Sequence, residues 1–68
     1  METKYNLHDK VKFKLDSLFK QIHDATIDTG EIVNIKQASF DKEIYYLVKT
    51  KTYNYWIAEY NILKKINK

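Results

Sequence analysis

The chain of 68 residues has no cysteine, no proline and no arginine, and only one glycine, Gly30. Without cysteine there can be no disulfide and no thiolate metal site. Stability must therefore come from packing and hydrogen bonds alone. A chain this short buries only about 60% of the surface its unfolded form exposes, so it forms one domain of small margin. No apolar run approaches the roughly 18 residues that a membrane-spanning helix needs. The opening METKYNLHDK lacks the apolar core of a secretory signal, and no Asn-x-Ser/Thr acceptor occurs. These absences give the expectation of a cytoplasmic protein with no membrane association.

The missing arginine bears on partners. Every formal positive charge is a lysine, twelve against nine acids, for a net charge of +3. A basic surface attracts nucleic acid. Bidentate reading of guanine, however, favours the guanidinium fork, whereas lysine is a point charge. Loose phosphate contact is thus a better expectation than sequence-specific duplex reading. Lysine, isoleucine, asparagine and tyrosine are all abundant, which is also the profile of an AT-rich coding sequence.

What is present is β pattern. Residues 1–8 are polar and are expected to be a disordered N-terminal segment, with the folded domain over residues 9–67. In DKVKFKL, Asp9 to Leu15, the apolar Val11, Phe13 and Leu15 alternate with lysine, so one face is buried and one wet. Asp16 to Thr26 has no clear period and forms a long first loop, with Leu18, Phe19 and Ile22 as its apolar side. A helix over Ser17 to Ala25 is the competing reading. IDTGEIVNIK, Ile27 to Lys36, is a second strand in which Gly30 marks a bulge, a sharp bend or a close backbone approach. Gln37 to Glu43 is a turn. EIYYLVKT and YNYWIAE are a third and a fourth strand joined by Lys51 and Thr52, a tight hairpin without the usual Asn-Gly signal. Glu59 to Asn61 interrupts the pattern, and ILKKI, Ile62 to Ile66, closes it.

Four pieces, Asp9-Lys10-Val11, Gly30-Glu31-Ile32-Val33, Tyr46-Leu47-Val48-Lys49 and Trp56-Ile57-Ala58-Glu59-Tyr60-Asn61-Ile62, follow one another in the order seen in SH3-like small β-barrels. The chain resembles the KOW- and Tudor-like barrels of small phage or mobile-element proteins over about Asp9 to Ile66. The resemblance implies an all-β, five-stranded SH3-like barrel with a long first loop and a 3₁₀ turn before the last strand. It implies a binding module and names no activity, because such barrels host unrelated functions.

Alternation then sorts the aromatics. Ile44, Tyr46, Val48, Tyr55 and Ile57 share the more aliphatic face and are expected in the core with Val11, Phe13, Ile32, Ile35 and Ile62. Tyr45, Leu47 and Trp56 point outward together. Either Leu18, Phe19 and Ile22 cover them, or they remain exposed with Tyr60 as a protein-binding site. Lys49 and Lys51 at the hairpin, with Lys64 and Lys65 near the C-terminus, are the candidate nucleic-acid contacts, with stacking on Trp56 or Tyr60. The bland reading of these lysines is edge protection and a solvated tail.

No catalytic machinery is legible. His8 and His23 lie on different elements and have no histidine at ligand spacing. Asp24 and Asp28 straddle the start of the second strand, and Asp41 and Glu43 flank the next turn, as solubilising acids do. Ser17 and Ser39 have no histidine at a recognisable spacing, and no phosphate-cradling glycine loop occurs. The expectation is a monomeric, non-enzymatic module with no metal and no cofactor. It would act as an adaptor for an unknown protein partner, from host or phage machinery, or else as a weak, sequence-independent nucleic-acid binder.

Overall fold

The computed structural model describes residues 2–15 and 26–66. It is all-β: β1 Lys10–Leu15, β2 Thr26–Gln37, β3 Ile44–Lys49, β4 Asn54–Ala58 and β5 Ile62–Ile66, with a 3₁₀ turn at Glu59–Asn61 between the last two. All pairings are antiparallel in one sheet of order β4-β3-β2-β1-β5. The edge strands β4 and β5 share no ladder, so the sheet is open rather than closed by hydrogen bonds. No helix among the described residues is long and apolar enough to cross a membrane. The expected first loop, its cover of the outer face by Leu18, Phe19 and Ile22, and the competing helix all lie outside the described residues.

Strand β2 organises the sheet. Thr26 to Glu31 pair with β1, and Glu31 to Gln37 pair with β3, so Glu31 has a partner on both sides. The change of partner coincides with the glycine. A Cβ on Gly30 would stand 2.5 Å from the Lys49 carbonyl oxygen and 2.7 Å from Val48 Cγ1. Of the three roles open to Gly30, close backbone approach is the one the structure realises. The extra residue sits slightly later, where the register slips between Ile32 and Asn34. A bulge there bends the strand and increases its twist.

Alternation puts one face of each strand into a single core. Val11, Phe13, Ile32, Ile44, Tyr46, Val48, Ile57 and Ile62 are buried together, with Tyr5, Leu15, Ile35 and Tyr55 packed against them. Every residue expected in the core is in this cluster or against it. Burying each large apolar side chain is worth roughly 1.5–3 kcal/mol. The N-terminal segment also contributes. Residues 1–8 read as disordered from their polarity, yet Tyr5 stacks edge-on against Tyr46 at 5.6 Å between ring centres. The His8 N–H donates to the Ile32 carbonyl at 2.7 Å, and the Ile32 N–H donates to the Asp9 carbonyl at 2.9 Å.

The β3–β4 connection differs from a two-residue hairpin. The last ladder pair is Lys49 with Asn54, so Thr50 to Tyr53 form the loop. Neither Lys51 nor Thr52 has a positive φ. A type I′ turn would need positive φ at both central positions. The absent Asn-Gly signal is therefore a consequence of the turn that forms. The Thr50 hydroxyl organises it, accepting from the N–H groups of Thr52 and Tyr53 and donating to the Tyr53 carbonyl.

Candidate functional site

Two separate features stand on the solvent side of the sheet. The first is aromatic. The register sets Tyr45 opposite Ala58 on β4 and Lys36 on β2, and Leu47 opposite Trp56 and Asn34. Tyr45, Leu47 and Trp56 thus share the outer face. Trp56 is 46% exposed, Tyr60 on the 3₁₀ turn 69%, and Phe40 at the tip of the β2–β3 turn 83%, while Tyr45 and Leu47 are half-buried. Lys36, Ala38, Phe40, Tyr45 and Trp56 line a shallow, mostly apolar cleft of about 260 Å³. The Lys36 ammonium sits 5.6 Å from the centre of the Trp56 ring, within cation–π range. Neither Leu47 nor Tyr60 lines the cleft. Phe40 does, although the sequence placed it in the Gln37 to Glu43 turn and assigned it no role. The available signal was a bulky aromatic at a turn tip with no strand to bury it.

Acids edge this feature. The Tyr45 hydroxyl donates to Asp41 Oδ2 at 3.4 Å. Partial removal from water, followed by the negative charge of Asp41, raises its pKa above the ordinary phenol value. The turn that presents Phe40 is held by the Ala38 N–H to the Glu43 carbonyl and the Lys42 N–H to the Ala38 carbonyl, with Lys42 in the left-handed region at φ 61.

The second feature is basic. Lys10, Thr29, Gly30, Glu31, Lys49, Thr50, Lys51 and Ile66 line an open groove of about 440 Å³. Among the described residues Glu31 is the only acid in it. The Glu31 carboxylate lies 2.9 Å from His8 Nδ1, and this contact holds its pKa below the ordinary carboxylate value, with smaller help from the charges of Lys10 and Lys49. Lys12, on the same face as Lys10, stands directly opposite Lys64 across the β1–β5 ladder.

The sequence grouped Lys49, Lys51, Lys64 and Lys65 with Trp56 and Tyr60. In the structure Lys49 and Lys51 line the groove, whereas Lys64 lies outside its lining, opposite Lys12 on the neighbouring strand. Lys65 instead reaches Asp9 Oδ1 at 3.7 Å. Among the described residues the groove has no aromatic lining residue, and the cleft of Trp56 shares none of its walls. Among the described residues no cluster of three metal-ligating side chains forms. Comparison with protein-family models, curated proteins and solved structures finds no match.

Proposed function

We propose that the protein is an SH3-like, non-enzymatic interaction module whose aromatic cleft docks a segment of another protein. The fold part of this reading is supported by the strand order, by a long β2 shared between two strand partners, and by the 3₁₀ turn joining the two edge strands. The observation that carries the functional part is the exposure of Phe40, Trp56 and Tyr60 around Tyr45 on one face. Aromatic residues so exposed and so grouped are characteristic of contact sites.

The size and chemistry of the cleft define the occupant. Small-molecule pockets usually run from about 300 to 1,000 Å³ and enclose their ligand. A shallow cleft of about 260 Å³ accommodates one or two side chains instead. An apolar side chain of an extended partner segment fits between Phe40 and Trp56. A neighbouring carboxylate would meet the Lys36 ammonium.

Trp56 is the only tryptophan, so its fluorescence reports on the cleft directly. Peptides selected from a random displayed library are expected to share an apolar residue beside Asp or Glu and to shift that fluorescence. Trp56→Ala and Phe40→Ser should each weaken binding about 30-fold, the size of a hot-spot loss of roughly 2 kcal/mol. Circular dichroism should remain unchanged. Selected peptides with no common pattern, or binding indifferent to both substitutions in folded protein, would remove the cleft from the function.

A further inference from the structure

We infer that the basic groove over Gly30 is a second, independent site that seats the phosphate backbone of a single-stranded nucleic acid. Three lysines, Lys10, Lys49 and Lys51, converge on the groove with one carboxylate among them. Lys12 and Lys64 extend the positive charge along the same side. Their juxtaposition is the second observation. Like charges directly opposite on neighbouring strands destabilise a sheet. Among the described residues neither lysine has an ion-pair partner, whereas Lys65 has Asp9. Lysines that merely protect an edge have no need to face each other, and a polyanion laid between them relieves the repulsion.

The spacing points to one strand. Lys10 and Lys12 are two residues apart on β1, about 7 Å. Lys12 and Lys64 face each other at about 5 Å. Lys10 and Lys49 are separated by two strand spacings, about 10 Å, with Glu31 between them. The charges thus step across the sheet from Lys49 to Lys10, along β1 to Lys12, and across to Lys64. A duplex presents two phosphate rows bordering grooves about 12 and 6 Å wide; with Lys14 next on the same face of β1, the lysines here follow one connected path rather than two parallel rows. Beside the lysines and Glu31, the groove side chains are Thr29, Thr50 and Ile66, none of them an aromatic for stacking or a fork of donors that would fix one base. Binding is therefore independent of sequence and takes no stacking contribution from Trp56.

Anisotropy titration of the full chain with a labelled mixed-sequence single strand tests this. Three or four phosphate contacts give a log–log salt slope of roughly −2 to −3, at about −0.7 per contact. Affinity should then fall about 15- to 60-fold between about 50 and 200 mM salt. Lys12→Gln and Lys49→Gln should each flatten the slope by about 0.7. Lys12→Gln should also raise the urea midpoint, because it removes a like-charge pair, so weaker binding will accompany a more stable fold. Trp56→Ala should bind as the parent does. No binding at low salt, a slope near zero, or affinity unchanged by both lysine substitutions would overturn the site. Preference for duplex would overturn the single-strand assignment. A loss confined to Trp56→Ala would move the binding to the aromatic cleft.

Discussion

Gly30 is the residue where backbone geometry is least forgiving. Its φ is not positive, so conformational freedom is not what the position requires. Space is. The Lys49 carbonyl belongs to the backbone of β3 and cannot rotate aside as a side-chain end would. It lies 2.5 Å from the point an alanine methyl carbon would occupy, which leaves room for hydrogen only. Gly30→Ala must therefore push β2 and β3 apart where β2 changes partners. The expected cost is about 1–3 kcal/mol, in the range of overpacked cores, read as a lower urea midpoint. A variant as stable as the parent would show that the strands separate here without penalty. The same residue also lines the basic groove.

At the scale of elements, the strands were legible because both levels of pattern agreed. Val11 and Phe13, then Ile44, Tyr46 and Val48, alternate cleanly, and the interruption at Glu59–Asn61 became the 3₁₀ turn. What alternation does not show is how a side chain is used once its face is known. Phe40 has no strand to assign it a face, and its role in the cleft follows only from the turn that lifts it. Lys64 and Lys65 are adjacent in sequence, yet one faces Lys12 and the other Asp9, because neighbouring residues on a strand point to opposite faces. The β3–β4 loop is a further case in which a side chain replaces an expected signal. Thr50 supplies the hydrogen bonds that a tighter turn would make through its backbone. Thr50→Val keeps the shape and removes the hydroxyl, and should cost about 1 kcal/mol. Thr50→Ser should cost less than half as much. A larger loss for Thr50→Ser than for Thr50→Val in urea denaturation would assign the effect to packing of the methyl group.

Across the whole molecule the open sheet is held together at one end by a polar junction. The 3₁₀ turn joins the two edge strands β4 and β5, which do not pair with each other. Its Glu59 carboxylate accepts from the Tyr46 hydroxyl at 2.6 Å and from the Lys4 N–H at 3.1 Å. The N-terminal segment, the inner strand β3 and the link between the edges thus meet on one carboxylate. Tyr46 is fully buried. Burial, and then its bond to Glu59, push its phenol pKa up to about 12 from an ordinary 10. The direction of the pH effect follows. Between about pH 10 and 12 the unfolded chain has lost this proton and the folded chain still holds it, so the folded state binds more protons and its stability falls as pH rises. The contribution is complete below about pH 10 and is gone once pH passes about 12. Tyr46→Phe removes the titrating group and leaves the ring. Near neutral pH it should be less stable, because the Glu59 carboxylate loses a charge-assisted bond worth roughly 1.5–3 kcal/mol. On going from about pH 9 to about pH 11, its unfolding free energy should decline less than the parent's. A parallel decline in the two proteins would mean that Tyr46 ionises in the folded state as readily as in the unfolded one, and that the junction does not hold its proton.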